Sequence, residues 1–173
     1  MSAQMTARVY EPREAAVHES YLETIRLTER LHRQFLEVVK NELEGLGIED
    51  LNNVQSLILF NIGRNEYTVG ELTGRGYYLG SNVSYNVRKL VENGYLVQER
   101  SVHDRRSIHV RLTEKGRTLC ERLGDMHKRH VEMLAQTAIT DADLQSAGLT
   151  LRRLERFWIR AGDLIQRPGQ YAA

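Results

Sequence analysis

Between Leu79 and Thr113 the hydrophobic period of the chain switches from helical to alternating, and this switch constrains the fold more than any other feature. In "LGSNVSYNVRKLVENGY", Val83, Val87 and Leu90 fall on one helical stripe. Ser81 is the expected N-cap, since its hydroxyl can accept an orphan backbone N–H. Gly94 is the expected stop. "YLVQER" and "SIHVRLT" then read as short strands, and in the second Ile108, Val110 and Leu112 alternate with His109 and Arg111. The loop between them carries His103, Asp104, Arg105 and Arg106.

The rest of the chain is helical in pattern. Its two prolines are Pro12 and Pro168, and nothing between them removes a helix donor in this way. Leu22, Ile25, Leu31, Phe35, Val39, Leu43 and Leu46 predict a helix from about His18, stopped by "EGLG". A second helix is expected over about Asn52–Asn61. Its "VQSLILFNI" is apolar nearly all round and therefore central. "GELTGRG" supports only a short helix. Thr113 should cap a long helix to about Ala138, with a stripe of Leu119, Leu123, Met126, His130 and Met133. Thr140 should cap the last, where Leu144, Ala147, Leu151, Leu154, Trp158, Ala161 and Ile165 recur at steps of three and four. A seam this regular suits packing on another helix, within the monomer or from a second chain.

The expected fold is mainly α, with a small β component (α+β). It is a winged helix-turn-helix framed by long N- and C-terminal dimerisation helices. Residues 1–17 read as a flexible tail, 18–50 and 113–167 as the helical dimerisation region, 51–112 as the winged helix-turn-helix, and 168–173 as a second tail.

The net charge of +1 does not by itself call for a polyanionic partner. Its distribution does. Glu11–Asp50 holds 10 acids and 5 bases, whereas Ser81–Arg117 holds 8 bases and 4 acids. The single cysteine, Cys120, excludes a disulfide framework within one chain and suits a reducing, cytoplasmic setting. No membrane span and no signal peptide are expected.

Stepping about 100° per residue from Val83 places Val87 and Leu90 within about 40° of it. The outward face is then Ser81, Asn82, Tyr85, Arg88 and Lys89, with Ser84 and Asn86 at its edges. These side chains can hydrogen-bond base edges in a major groove. An ordinary solvated helix face explains them equally well in isolation, but not together with a basic hairpin just downstream. The hairpin tip can reach a minor groove, with Arg105 or Arg106 inserted and Asp104 orienting a neighbouring arginine. The alternative is a winged-helix protein-interaction module whose basic face binds an acidic partner.

"DRRSIHVRLTEKG" (Asp104–Gly116) resembles the wing signature of the MarR family: Asp-Arg-Arg, a strand, then Leu-Thr-x-x-Gly. "ELTGRGYYLGSNVSYNVRKLVENGYL" is similar, without gaps, to that family's reading-head region, with Leu72, Val83, Leu90 and Gly94 on its apolar and glycine positions. Within the family, "GYYLGSNVSYNV" is most similar to the LdtR-type regulators linked to cell-envelope remodelling and stress response. The resemblance implies a homodimeric regulator binding double-stranded DNA, usually a repressor of a pseudo-palindromic operator and often released by a small ligand. It implies dimer contacts at Leu22, Ile25, Leu151, Leu154, Trp158, Ala161 and Ile165. It also implies an effector pocket, suited to a small aromatic molecule, among His32, Phe35, Val39, Leu57, Phe60, Asn61 and Tyr67. Tyr85 stands where many members carry a basic residue, which leaves the base preference open.

No cofactor and no enzymatic activity are expected. His127 and His130 are three apart but lack a third spaced ligand, so no metal site is expected. No glycine-rich phosphate loop or Ser/His/Asp arrangement stands out. Cys120 lies on or beside an apolar stripe and reads as an inert thiol.

Overall fold

The computed structural model describes residues 12–74, 80–100 and 108–166. The chain divides into two compact units, Met1–Gly124 and Asp125–Ala173.

The first unit opens with α1 (Pro12–Gly45). The helix starts six residues ahead of the expected His18, so residues 12–17 are helical rather than part of a tail. Proline suits the first helical position, where its missing N–H has no partner to lose. α1 ends as "EGLG" predicts: Gly47 N–H bonds Glu44 O and Ile48 N–H bonds Leu43 O. α2 (Asn53–Ile62) opens with a capping box: Asn52 Oδ1 accepts Gln55 N–H at 2.9 Å and Gln55 Oε1 accepts Asn52 N–H at 3.0 Å. Ile58, Leu59 and Ile62 are buried, so α2 is central as its all-round apolar sequence requires.

Next come β1 (Tyr67–Thr68), α3 (Val69–Gly74) and α4 (Gly80–Glu92). The hairpin follows as β2 (Leu96–Arg100) and β3 (Ile108–Leu112). The three-stranded sheet has the order β1–β3–β2. Both pairings are antiparallel, from Leu96↔Leu112 to Arg100↔Ile108 on one side of β3, and Tyr67↔Val110 on the other. β1 was not predicted. Two residues are too few to display a period, and β1 exists because β3 offers it an edge.

α5 (Glu114–Leu134) starts at the predicted Thr113 cap, whose Oγ1 accepts Gly116 N–H at 3.1 Å. It stops four residues short of Ala138, in a turn closed by Gln136 N–H to Met133 O and Thr137 N–H to Leu134 O. Of its expected stripe, Leu119, Leu123 and Met126 are buried, while Met133 is exposed.

In the second unit, α6 (Asp141–Gln166) begins with a reciprocal cap. Thr140 Oγ1 accepts Asp143 N–H at 3.2 Å, and an Asp143 carboxylate oxygen accepts Thr140 N–H at 2.9 Å. The Thr140 hydroxyl, which donates to that carboxylate at 2.6 Å, and then the Thr140 N–H hold the Asp143 carboxyl below its ordinary pKa. No described helix is long and apolar enough to cross a membrane.

Candidate nucleic-acid interface

The reading helix is α4. Val83, Val87 and Leu90 are each at most 1% exposed, so the stripe inferred from the sequence is the one that packs inward. α4 is closed by two bonds of a Schellman motif, Gly94 N–H to Val91 O at 3.0 Å and Tyr95 N–H to Leu90 O at 2.8 Å. Gly94 sits at φ 74°, a left-handed conformation that favours glycine.

On the outward side Ser84, Tyr85 and Arg88 are exposed, and Lys89 is half-buried. Arg88 has no hydrogen-bond or ion-pair partner among the described residues. Lys89 pairs with Glu92 at 2.7 Å, and that bond raises its pKa. A phosphate would therefore compete with Glu92 for Lys89, whereas Arg88 can accept one directly.

Two expectations on this helix are corrected. α4 is already running at Gly80, so Ser81 is its second residue and not its N-cap. Asn86 is not at the edge of the outward face. It is 8% exposed, and its Oδ1 accepts a bond from Gln55 Nε2 at 3.2 Å. A buried amide opposite another buried amide is satisfied by pairing, and it is thereby withdrawn from solvent and from any groove. For Ser81 and Asn82 only the backbone position in α4 is described. The expected wing residues His103, Asp104, Arg105 and Arg106 lie outside the described residues, in the segment joining β2 to β3.

A polar knot that the sequence did not reveal holds the base of the hairpin. Asp50, between α1 and α2, accepts the Tyr95 hydroxyl at 2.7 Å and Lys115 Nζ at 2.6 Å. Lys115 also donates to Asn93 O at 3.0 Å and lies 4.0 Å from the Tyr95 ring centroid. The Asn93 side chain donates to the Asp50 carbonyl. Burial pushes the Asp50 carboxyl up, but the bonds from Lys115 and Tyr95 and the Lys115 charge outweigh it and hold the group below its ordinary value. Burial first, then the bond to Asp50, pushes the Tyr95 hydroxyl well above its ordinary value. Thr113 Oγ1 donates to Gly94 O at 2.7 Å, and Thr113 N–H to Tyr95 O at 3.0 Å. Gly116 packs so closely on Tyr95 O that a Cβ would collide with it. The Leu-Thr-x-x-Gly signature is thus a cap plus a close approach. Leu112 fills the core, Thr113 joins α5 to the α4–β2 turn, and Gly116 admits the Tyr95 carbonyl.

The expected effector-pocket residues are scattered in burial. His32 and Asn61 are exposed and Phe35 is 37% exposed. Leu57, Phe60 and Tyr67 are half-buried, and Val39 is fully buried. None of them lines the cleft of about 500 Å³ bounded by Arg64, Arg111, Arg117 and Cys120, or that of about 530 Å³ between Lys40 and Asn53. Burial and the Glu121 charge push the Cys120 thiol up to about 11, which disfavours a reactive thiolate. Burial and neighbouring His130 push the His127 imidazole below its ordinary value. Among the described residues no group of three or more His, Cys, Asp or Glu is placed to hold a metal.

Of the expected dimer residues, Leu151 and Trp158 are exposed at 48% and 38%. Leu22, Ile25, Leu154 and Ala161 are intermediate, and only the backbone of Ile165 is described.

A helix packed through one apolar stripe, a polar outward face and an antiparallel hairpin directly after it define a winged-helix DNA-binding domain. Residues 51–116 match the family described as the winged helix DNA-binding domain. The chain is 40% identical over 139 residues to the exopolysaccharide II synthesis transcriptional activator ExpG of Rhizobium meliloti (strain 1021), covering 80% of this chain and 72% of that protein. Its fold matches Streptococcus pneumoniae FabT in complex with DNA (TM-score 0.66, 22% identity, 82% of this chain and 99% of that one). It also matches Staphylococcus aureus MarR in complex with salicylate and kanamycin (TM-score 0.66, 22% identity, 84% of this chain and 97% of that one). The chain belongs to the MarR family of winged-helix transcriptional regulators, and it is a DNA-binding regulator, not an enzyme.

Proposed function

We propose that the protein binds a pseudo-palindromic operator as a homodimer and that a small ligand modulates this binding. The observation that carries the reading is the α4 face. Tyr85 and Arg88 are exposed on a helix whose opposite stripe is sealed in the core. Ser81, Asn82, Ser84, Tyr85, Arg88 and Lys89 are the proposed groove contacts, and His103, Asp104, Arg105 and Arg106 the proposed wing contacts. The burial of Asn86 supports leaving it out of this set. In a dimer two such helices enter major grooves about one DNA turn apart.

The proposed dimer partner is a second copy docking on α6 and α1. Exposed Leu144, Leu151 and Trp158 on α6, and Leu27, Leu31, Phe35 and Val38 on α1, support it. Apolar side chains at this density are covered in a stable oligomer. Leu22, Ile25, Leu154, Ala161 and Ile165 complete the proposed interface.

For the effector we propose a small aromatic molecule against Phe35, Leu57, Phe60 and Tyr67, with His32 and Asn61 as polar contacts and Val39 as floor. The salicylate in the S. aureus MarR complex supports an aromatic ligand. Such a ligand releases DNA only if it binds better to a spacing of the reading helices that does not fit the operator.

The sign of regulation follows from operator position. Over a promoter the dimer represses by occlusion; upstream of one it can recruit polymerase. The relative's name as an activator favours the second arrangement beside the expected first.

Selection of bound sequences from a random DNA library tests the whole reading. The expected result is an inverted repeat with half-sites about one turn apart. Enrichment of nothing, with binding lost by about 200 mM salt, would reduce the basic face to a general polyanion site. On the selected sequence, Arg105→Ala should weaken binding to specific and random DNA by similar factors, while Asn82→Ala should relax preference at particular base pairs.

A further inference from the structure

We infer that the polar segment Asp50–Gln55 positions the reading helix, fixing its orientation relative to α1 and thereby the sequence preference. This rests on the DNA-reading proposal above.

The segment makes three grips. Asn53 Nδ2 donates to Leu36 O, in the C-terminal half of α1, at 3.0 Å. Gln55 Nε2 donates to Asn86 Oδ1, in the middle of α4, at 3.2 Å. Asp50 takes the Tyr95 hydroxyl and the Asn93 amide, in the turn that closes α4. The reading helix is therefore held at its midpoint and its C-terminus by residues of one short segment, and that segment is itself held by α1.

Stability alone does not require the central grip. Gln55 and Asn86 are 6% and 8% exposed, among Ile58, Leu59, Val83 and Val87 in the same core. A leucine at each place would continue that core, and exchanging a buried amide pair for apolar groups of similar shape costs little net stability. What leucines would lose is geometry. Apolar faces pack in several rotations, whereas an amide pair bonds in one. Gln55 is further fixed because its Oε1 already accepts Asn52 N–H. Asn86 directly follows Tyr85, so a pin on Asn86 sets the direction of Tyr85, about 100° round the helix.

The test compares affinity for the sequence selected by the wild type with affinity for random DNA, at one salt concentration. Gln55→Leu with Asn86→Leu removes both amides together, so neither is left facing an apolar partner, and gives up the bond from Asn52 N–H to Gln55 Oε1. Its melting temperature should fall by only a few degrees, as for the loss of one cap bond. Its affinity for random DNA should stay within about twofold, and its preference for the selected sequence should fall about tenfold. Asp50→Asn loosens the third grip, on the turn that closes α4, and should lower preference about threefold. It also carries the test if the double variant does not fold. Gln55→Glu keeps the Asn52 N–H acceptor and, with the Asn86 amide turned over, the bond between helices; preference should survive. A folded double variant whose preference stays within twofold of the wild type would overturn the inference, as would equal losses on both DNAs. A wild type that enriches no sequence would instead overturn the DNA-reading proposal, and would be known before any variant is made.

Discussion

Gly116 has no room for a side chain: a Cβ there would run into the Tyr95 carbonyl oxygen and press on the Leu112 side chain. The nearer obstacle is backbone, which cannot swing aside as a side-chain end can. Gly116→Ala must move the start of α5 away from the hairpin, and should destabilise the protein by about 2 kcal/mol in denaturant unfolding. Asp50 is the second decisive residue, and its contribution depends on pH. Its folded pKa lies below the ordinary value, so its stabilisation is present above the unfolded value near 4 and is lost as pH falls through the folded one. Asp50 and Lys115 are both nearly half exposed, which limits the Asp50→Asn cost at neutral pH to about 1 kcal/mol. That cost should shrink in urea melts as pH falls below the unfolded value near 4, and wild type and variant should converge once pH is below the folded value. At this scale the sequence showed the residues whose reason is local, such as Thr113 and Gly94. It could not show Asp50 with Tyr95 and Lys115, or Gln55 with Asn86. Those partners lie 45, 65 and 31 residues apart, and only the fold brings them together.

Among the elements, α4 was the most legible because it is amphipathic and one glycine ends it. Its inward stripe packs as the period required, and its outward Tyr85 and Arg88 are exposed. The helical wheel puts Asn86 about 60° from Val83, toward the core, and only its polarity suggested solvent; a polar side chain with a polar partner across the interface can face inward. β1 was missed because an edge partner creates it, not a pattern of its own. The two exposed residues of α4 should differ in effect. Arg88→Ala removes a cation without competing carboxylate among the described residues, so it should weaken binding to all DNA and flatten the salt dependence of log K by about one unit of slope. Tyr85→Ala should leave affinity for random DNA nearly unchanged and alter preference at one or two positions of each half-site, read by repeating the library selection. Equal behaviour of the two variants would mean that Tyr85 touches only backbone.

For the whole molecule, the apolar residues of α1 belong to two stripes that a linear reading merges. Val39 and Leu43 are buried, while Leu31, Phe35 and Val38 keep over a third of their surface in water. The sequence showed that α1 is amphipathic, but not which of its apolar residues its own fold would cover. On α6 the three-four repeat was legible, and Leu144, Leu151 and Trp158 are exposed along it. The proposed dimer accounts for both observations, since a second copy supplies the cover that the monomer lacks. Leu151→Glu with Trp158→Glu sets charges into that seam, and burying an unpaired charge costs more than the lost apolar contact. The variant should sediment as a monomer at micromolar concentration while its helical content persists. Joining two half-site contacts raises affinity by about a hundredfold or more, so the monomer should lose at least that factor on the full operator. On a single half-site it should bind as the wild-type reading head does, because α4 and the hairpin are untouched. A double variant that remains dimeric would place the interface elsewhere, with the exposed α1 stripe from Leu27 to Val38 as the surface to charge next.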